Sequence, residues 1–584
     1  MKLAYVDIKN FRGISSGRIY FDGHNVIIGD NNAGKSTIFE AIDLVLGPDR
    51  LSRLPVIDEH DFYNGKYYDP EGHSPRIEIE VLIIDLEETQ VARFKNNLEF
   101  YNLTLRTVLL EGEIDDVDKK DVTEALRVKF IGEYNVDEDD FTGDTYFCSP
   151  VREDTAYTKF GKADKRECGF LYLRALRTGS RALSMERGSL LDIILRIREI
   201  RPKMWEEVLS QLKNTDVAMD KEVGIKPILE SVQKALKEFV PADWGTEPIL
   251  RVSDLTREHL RRTLTVFMST GAGSYHAPFQ HQGTGTINTM VLALLTIIAE
   301  EKKNVIFAME EPEIAIPPYT QKRIINSIQK KSSQAIFTSH SPFVLEEFTP
   351  ERIKLVDRDI TGFLTSREVH FPSSIKPKSY NAEFRLRFAE ALLAKKVLLT
   401  EGATEASGYL AAARRLNELA PEKFNSLEEL GIAVFDVMSE TNIASYGEYF
   451  RKLGKTVFAV FDKQDKEASE KISVAVDHAF ESEYKGFEKL MTEECDESIL
   501  KDFYEDLILS GSWPSHLGKL DGKHDSAALK DAIFSYLRKS KGASGAAELI
   551  SLCSERKQVP TSIRNVLRKI KSICDGPVDE DLIG

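Results

Sequence analysis

Short apolar runs alternate with helical patterns along most of this chain. The first residues, MKLAYVDIKNF, alternate apolar and polar positions, which is the period of a half-buried strand. Further on, NVIFAMEEPEI (Asn304 to Ile314) and QAIFTSHSPFV (Gln334 to Val344) are apolar runs that end in polar residues, as buried strands do. Together these patterns predict an α/β fold in which helices cover the sheets.

The last third repeats this alternation after a link that contains Pro and Ser (Phe371 to Asn381). KKVLLT, IAVFDVMS and KTVFAVFDKQD each predict a strand, and ATEASGYLAAARRL predicts the helix after the first of them. Strands that alternate with helices imply a parallel sheet, and the functional residues of such sheets gather at the carboxyl ends of the strands. The sequence therefore predicts a second α/β domain with its own site.

A helix-rich segment separates two parts of the first two-thirds of the chain. Between Gly188 and Val240 the apolar residues recur at helical spacing, but without sustained heptads. A long coiled-coil arm is therefore not expected. We interpret the segment as helices that cap the first domain and contribute to a dimer contact.

Size and composition limit the class of protein. A chain of 584 residues with 42% hydrophobic residues can fill two or more cores. Its longest apolar run, Met290 to Ala299, is shorter than the roughly 18 residues that a membrane span needs, and the start does not resemble a signal peptide. Five scattered cysteines fit reduced thiols in the cytoplasm. With a net charge of -16, DNA would have to bind a local basic patch, such as RNVLRKIK (Arg564 to Lys571).

The stretch VIIGDNNAGKSTIFEAI carries the most specific motif. It has the spacing G-x-x-x-x-G-K-[ST] between an apolar strand and a helical pattern, which is the context of a phosphate-binding P-loop. Lys35 would reach the β- and γ-phosphates of ATP, and the hydroxyl of Ser36 would bind Mg²⁺. The nucleotide-binding residues predicted here are Gly29, Asn32, Gly34, Lys35, Ser36 and Thr37.

Three downstream elements complete an ATPase pattern. Glu310 and Glu311 end a buried strand, where the first can join the magnesium shell and the second can polarise the attacking water. His340 ends the next apolar run and would contact the γ-phosphate. The triplet Gly283-Thr284-Gly285 precedes a long helical pattern, and a helix N-terminus suits an anion.

Acidic residues follow two of the predicted strands of the last third. Glu401 ends KKVLLTE, with Glu405 one helical turn further on, and Asp462 ends KTVFAVFD. Carboxylates at neighbouring strand ends are best explained by a shared hard cation, Mg²⁺ or Mn²⁺. Asp465 and Glu488 are two further candidate ligands. Asp462 is the safer ligand of the two aspartates, and a solvated helix face explains Glu488 at least as well as a ligand role does.

The four elements of the first two-thirds, in this order, resemble the ABC-type ATPase heads of the RecF, SMC and Rad50 group. The resemblance implies that Gly283, Thr284 and Gly285 of one subunit close on ATP held by Lys35 of another, so that the protein is a dimer or tetramer. It also implies that His340 is the switch histidine and that IKNFRG (Ile8 to Gly13) lies beside the nucleotide. The signature reads HQGTG rather than a Ser-Gly-Gly type, and IAIPP replaces a segment that usually carries a histidine.

The last third resembles a Toprim domain, in which an E-G motif and a D-x-D motif bind metal for phosphodiester chemistry. Here the E-G match is good, whereas the second acid of D-x-D is displaced by one position to Asp465. An ABC-type head followed by a Toprim domain resembles the OLD (overcoming lysogenization defect) family of ATP-dependent endonucleases. That resemblance implies two divalent metals at the Toprim acids and a late lysine that stabilises the transition state, with Lys541 preferred over Lys539.

The predicted domains follow from these resemblances: an ATPase N-terminal lobe (1–180), a helical insertion (181–250), an ATPase C-terminal lobe (251–375) and a Toprim nuclease domain (390–584). The predicted function is ATP-gated, metal-dependent DNA cleavage in defence against phage. A helicase-like or retron reverse-transcriptase partner is implied as well. The alternative is an SMC-like DNA clamp whose Toprim domain is not catalytic. Topoisomerase or primase use of the domain is disfavoured because no recognisable partner domain accompanies it.

Overall fold

The computed structural model divides the chain into two compact units. The first comprises Met1–His340 and Val356–Ser366, and the second comprises Ser341–Leu355 and Arg367–Gly584. The residues that the structure describes are 1–48, 56–69, 75–109, 113–114, 117–150, 157–173, 183–186, 189–198, 201–213, 225–239, 256–269, 276–301, 305–314, 317–370, 385–520, 525–539 and 545–575.

An antiparallel sheet forms one layer of the first unit. Its strands are β1 (Lys2–Phe11), β2 (Ile14–Tyr20), β4 (Ile77–Ile84), β5 (Leu98–Asn102), β6 (Thr107–Leu109), β7 (Val122–Asn135) and β8 (Asp140–Phe147). They follow the order β2-β1-β4-β7-β5-β6, and β8 pairs with β7. The strand predicted at the start of the chain is thus confirmed as β1, which pairs on both sides.

A second sheet carries the P-loop strand. Its members are β3 (Asn25–Ile28), β9 (Phe170–Leu173), β12 (Ile306–Glu310), β13 (Gln334–Thr338), β14 (Ile353–Arg358) and β15 (Leu364–Glu368). The order is β15-β14-β3-β13-β12-β9, and the pairs within β3-β13-β12-β9 are parallel. A separate hairpin pairs β10 (Phe267–Ser269) with β11 (His276–Pro278). Both predicted apolar runs, Asn304 to Ile314 and Gln334 to Val344, therefore contain buried strands.

Helices pack on these sheets and also make up the chain segment between β9 and β10. They are α1 (Lys35–Leu46), α2 (Glu88–Phe94), α3 (Lys162–Glu167), α4 (Leu190–Ile197), α5 (Arg201–Lys213), α6 (Ile225–Phe239), α7 (Arg257–Thr263), α8 (Thr284–Glu301) and α9 (Pro318–Lys331). The next helix, α10 (Pro342–Leu345), belongs to the second unit. The P-loop helix α1 packs on β1, β4 and β9, with Ile38, Phe39 and Ile42 fully buried. Helices α4 to α6 confirm the helix-rich segment, and none exceeds 15 residues.

The second unit is built on a four-stranded parallel sheet. Its strands are β16 (Lys396–Thr400), β17 (Ile432–Asp436), β18 (Thr456–Phe461) and β19 (His478–Glu481), in the order β17-β16-β18-β19. All three pairings are parallel, which confirms the prediction from the three apolar runs. Because β16 is central, its carboxyl end adjoins those of β17 and β18.

Helices pack on both the sheet and one another in this unit. They are α11 (Arg385–Leu393), α12 (Ala403–Leu419), α13 (Ile443–Lys452), α14 (Lys466–Ala475), α15 (Phe487–Glu494), α16 (Glu497–Leu509), α17 (Ser526–Lys539), α18 (Gly545–Ser551) and α19 (Thr561–Asp575). One core joins Leu398 and Phe458 of the sheet to Tyr409 of α12 and Leu500 of α16. No helix among the described residues is long and apolar enough to span a membrane.

Candidate nucleotide and metal sites

The P-loop has the backbone that its glycines require. Gly34 has a φ of 92°, a left-handed conformation that favours glycine, and α1 begins at the next residue. A side chain at Gly29 would approach the carbonyl oxygen of Val356 to 2.2 Å. Asn32 and Ser36 are exposed and Thr37 is half-buried at the start of α1. The loop therefore presents a helix N-terminus and polar side chains to solvent.

Lys35 lies folded against its own loop. Its Nζ donates hydrogen bonds to the carbonyl oxygens of Gly29 at 2.8 Å and Asp30 at 2.7 Å. Burial lowers the pKa of the ammonium group, and nearby carboxylates, Glu311 first among them, oppose that effect. Two carbonyl oxygens thus accept the hydrogen bonds that the Lys35 ammonium group would donate to phosphate oxygens in a nucleotide complex.

The predicted carboxylates end strand β12. Glu310 is buried, and its Oε1 accepts a hydrogen bond from the Tyr172 hydroxyl at 2.7 Å. Glu311 has a φ of 42°, uncommon outside glycine, and its amide donates to the carbonyl of Thr338 on β13. The bond to β13 and the turn of the chain at Glu311 place the two acids at the same sheet edge as the P-loop.

Glu313, which sequence reasoning did not single out, connects this edge to His340. Its Oε1 accepts hydrogen bonds from the His340 amide at 2.6 Å and the Ser339 hydroxyl at 3.0 Å. Its Oε2 is buried and has no hydrogen-bond partner among the residues that the structure describes, and burial raises the pKa of the carboxyl group. Desolvation and the charge of Lys35 lower the pKa of the His340 imidazole, so the ring is neutral at neutral pH. The E-P-E spacing is the sequence signal for Glu313.

The signature triplet precedes and opens helix α8. Gly283 is exposed, and its carbonyl accepts hydrogen bonds from the amides of Thr286 and Ile287. Thr284 and Gly285 form the first turn, and the structure describes their backbone alone. The triplet therefore lies at a helix N-terminus, as predicted, while its role across a dimer stays a prediction.

Arg12 of the IKNFRG element is held by two acids. Its guanidinium pairs with Glu40 of α1 at 2.6 Å and with Asp61 at 2.8 Å. Glu40 lies on the helix that begins at Lys35, so the ion pair links the element to the P-loop helix. The predicted position of Arg12 beside a nucleotide stays a prediction.

Three carboxylates meet at the carboxyl ends of β16 and β18. Glu401, Glu405 and Asp462 each offer one oxygen, and these oxygens lie within 4.8 Å of one another. Glu405 is almost fully buried, and its Oε2 accepts a hydrogen bond from the Gly402 amide at 3.0 Å. Glu401 accepts one from the Asp462 amide at 2.8 Å. Strand adjacency therefore brings together the three acids that the sequence placed at strand ends.

The electrostatics of this group favour a cation. The pKa of Glu401 is raised to about 7 and that of Asp462 to about 6, first by burial and then by the charges of neighbouring acids. Burial and then the charges of Asp462 and Glu401 raise the pKa of Glu405 well above its ordinary value. Hard cations bind carboxylate oxygens at about 2.0–2.6 Å, so oxygens that share one lie at most about 4–5 Å apart. The donor set and its spacing fit Mg²⁺ or Mn²⁺.

Comparisons with known proteins match both units. Residues 1–142 and 197–345 match an AAA ATPase domain, and residues 392–463 match the Toprim domain of overcoming lysogenization defect-like proteins. The order of the two matches, an ATPase domain followed by an OLD-like Toprim domain, is the order that the resemblance to the OLD family implies. The matches confirm the predicted α/β fold of an ATPase head followed by a parallel-sheet Toprim domain. They also confirm that the chain is an enzyme with an ATPase domain and a Toprim nuclease domain.

Individual relatives are distant but extend over most of the chain. The Old nuclease of Escherichia phage P2 is 22% identical over 72% of this chain and 72% of its own length. The OLD nuclease of Thermus scotoductus is 24% identical over 68% of this chain and 71% of its length. Endonuclease GajA of Bacillus cereus is 22% identical over 72% of this chain and 69% of its length.

The other predicted residues of the Toprim site are not members of the three-acid group or lie outside the described residues. Asp465 caps helix α14, where its side chain accepts a hydrogen bond from the Ala468 amide at 2.9 Å. Glu488 is half-buried in the first turn of α15, and its charge raises the pKa of Asp462. Lys541 lies outside the described residues, and Lys539 ends α17 with its side chain undescribed. Their catalytic or metal-binding roles stay predictions.

Two residues that sequence reasoning missed lie beside the Toprim acids. The Nε2 of Gln464 donates hydrogen bonds to Oε1 of Glu401 at 3.2 Å and to Oε2 of Glu440 at 3.0 Å. Glu440 begins a short 3₁₀ helix after β17, and its charge raises the pKa values of both Glu401 and Asp462. The sequence signal was available, because Gln464 occupies the second acidic position of D-x-D.

Proposed function

We propose that this protein is an ATP-gated, divalent-metal-dependent DNA endonuclease or nickase. The observation that carries the proposal is the convergence of Glu401, Glu405 and Asp462 within 4.8 Å at adjacent strand ends. A P-loop with its lysine in place accompanies this group in the same chain. Metal-assisted phosphoryl chemistry needs the first feature, and nucleotide control needs the second.

The Toprim acids would bind Mg²⁺ or Mn²⁺. When bound, such a metal lowers the pKa of water and stabilises the leaving oxygen of the phosphodiester. Glu401 and Asp462 have raised pKa values of about 7 and about 6, so they release protons when they take up a cation. The predicted lysine, Lys541, would stabilise the negative charge of the transition state.

ATP binding in the head would use the P-loop and the strand ends around it. Lys35 exchanges its carbonyl partners for phosphate oxygens, and Ser36 and Glu310 complete a magnesium shell. Glu311 orients water and His340 contacts the γ-phosphate. Two heads would close on ATP through Gly283, Thr284 and Gly285, which gives a dimer or a tetramer made of dimers.

A cluster of arginines offers the DNA contact that a chain of net charge -16 requires. Burial lowers the pKa of Arg564 on α19, and the charges of Arg568 and Arg556 lower it further. Arg564 donates to the Val559 carbonyl and the Thr561 hydroxyl, and Arg568 lies over the Phe424 ring. Adjacent guanidinium groups that repel one another are stabilised by phosphates. Arg564 and Arg568 belong to the predicted basic patch Arg564 to Lys571, and Arg556 precedes that patch in the sequence.

The test is cleavage of supercoiled and linear DNA by the purified protein. Reactions contain Mg²⁺ or Mn²⁺, with and without ATP, and compare Glu401→Ala with Glu470→Ala, which removes an exposed acid from α14. We expect metal-dependent nicking or cutting that Glu470→Ala keeps and Glu401→Ala loses. Cleavage that survives Glu401→Ala, or no cleavage under any of these conditions, contradicts the proposal.

A DNA clamp with a non-catalytic Toprim domain is the second candidate. The observation in its favour is that Gln464 stands where D-x-D has an acid, while Asp465 caps a helix. Under this alternative, the wild-type protein retains circular DNA in the presence of ATP without cutting it. Glu401→Ala would then leave retention unchanged, and Lys35→Ala would abolish it.

We further propose that the protein is cytoplasmic and acts against phage DNA, with a helicase-like or reverse-transcriptase partner. The match to an OLD-like Toprim domain and the likeness to endonuclease GajA support this role. Plaque counts on cells that express the wild type, Glu401→Ala or Lys35→Ala test it. Protection that persists in both variants would contradict it.

A further inference from the structure

The amide of Gln464 joins two carboxylates at the edge of the Toprim sheet. Its Nε2 lies 3.2 Å from Oε1 of Glu401 and 3.0 Å from Oε2 of Glu440. An amide donates hydrogen bonds through its nitrogen and accepts them through its oxygen, and here the nitrogen faces both acids. The orientation of Gln464 is therefore fixed by its two partners.

These contacts determine which oxygen of Glu401 remains for a cation. Oε1 accepts one hydrogen bond from the Asp462 amide at 2.8 Å and a second from Gln464 at 3.2 Å. Two donors use both lone pairs of Oε1. Oε2 is the oxygen left to bind a metal together with Glu405 and Asp462.

Glu440 accepts the second hydrogen bond of the Gln464 amide. It begins the 3₁₀ helix Glu440–Asn442, which follows β17 on the side of β16 opposite to β18. Gln464 follows β18, so the amide lies across the carboxyl end of the central strand β16 and contacts one acid that follows β16, Glu401, and one that follows β17, Glu440. Without Glu440, the amide would lose one of its two fixed acceptors and would be free to rotate away from Glu401.

We propose that Gln464 and Glu440 are positioning residues that act as one unit on Glu401. The pair orients the Glu401 carboxylate for a divalent cation of the Mg²⁺ or Mn²⁺ class, in a chain whose D-x-D motif has glutamine at its second position. The inference rests on the proposed metal site. Partners that orient a metal ligand typically change metal affinity by about 10–100-fold when they are removed.

The experiment measures Mn²⁺ affinity by calorimetry on the full chain without DNA or nucleotide. Gln464→Met keeps the size and neutrality of the side chain but removes its hydrogen bonds, and Glu440→Ala removes the anchor. Each is expected to weaken Mn²⁺ binding by about 10-fold. The double variant is expected to bind Mn²⁺ as tightly as the single variant that has the larger loss of affinity, because the two residues act through one hydrogen-bonded connection. Glu470→Ala controls for the loss of an acidic charge, and melting curves check that each variant is folded.

The outcomes separate this inference from the proposed function. An unchanged Mn²⁺ affinity in Gln464→Met overturns the positioning proposal. The proposal is also overturned if the two single-variant losses of Mn²⁺ affinity multiply in the double variant, because Glu440 would then act through its charge alone. Glu401→Ala should abolish the tight Mn²⁺ site. If the wild type binds Mn²⁺ with the predicted coupling but cleaves no DNA, the positioning pair stands and the nuclease proposal fails.

Discussion

Metal binding at the Toprim acids should tighten as pH rises from 6 to 8. The pKa of Glu401 is about 7 and that of Asp462 is about 6, both above the ordinary values of these carboxyl groups. A raised pKa means that the folded protein still holds protons near neutrality, and a cation must displace them. Metal affinity therefore rises with pH, because protons compete with the metal at pH 6 and do so far less at pH 8.

The two pKa values set the size of this effect. Between pH 6 and pH 8, the competition of protons with the metal falls about tenfold at a carboxyl group with a pKa of 7 and about twofold at one with a pKa of 6. Together, Glu401 and Asp462 should therefore tighten Mg²⁺ binding by roughly 20-fold. Glu405 adds to this value, because its pKa is raised well above the ordinary one.

Calorimetry in two buffers of different ionisation enthalpy measures both affinity and proton release. At pH 6.5 the Glu401 and Asp462 pair should release about one proton for each metal bound, and at pH 8 about 0.1. Nucleotide is left out, so that the P-loop does not contribute a second magnesium site. Glu470→Gln should keep the full pH dependence. An affinity that stays flat between pH 6 and pH 8 would refute the assignment of a shared cation to these acids.

Three other substitutions give separate readouts. Lys35→Ala should abolish measurable ATP binding in a fluorescent-nucleotide titration, whereas Lys330→Ala on α9 should leave it intact; equal affinity in both would contradict the P-loop assignment. Glu313→Ala leaves two donors without their acceptor, which should cost about 1–3 kcal/mol in the free energy of unfolding and slow ATP hydrolysis; unchanged denaturation midpoint and turnover would show that this carboxylate is dispensable. Asp465→Ala removes a helix cap, so it should cost about 1 kcal/mol of stability and leave DNA cleavage intact; loss of cleavage in a folded variant would make Asp465 a metal ligand.

The sequence predicted those features that depend on residues close together in the chain. The P-loop is one continuous turn, so its spacing alone fixes Gly34 and Lys35 at the start of α1. Glu401 and Asp462 were placed together because parallel strands end at one edge of the sheet, and β16 does adjoin β18. The α/β alternation predicted that the strands are parallel, and the strand order β17-β16-β18 makes the two strands neighbours.

Features that depend on side-chain orientation were not predictable in this way. An aspartate after a strand serves equally well as a metal ligand and as a helix cap, and Asp465 caps α14. Glu440 is 24 residues from Gln464 in sequence, and the contact between them forms only because β17 and β18 flank β16. Glu313 likewise meets His340 across 27 residues, through the pairing of β12 with β13.

Cleavage of supercoiled DNA by Glu401→Ala and by Lys35→Ala, side by side with the wild type, tests most directly whether the Toprim acids carry the chemistry. We predict that Glu401→Ala has no nicking activity at any Mg²⁺, Mn²⁺ or ATP concentration but still binds ATP. Lys35→Ala should change the response to ATP and keep an intact Mn²⁺ site. Nicking that persists in Glu401→Ala and disappears in Lys35→Ala would contradict the assignment and place the cleavage chemistry elsewhere in the protein.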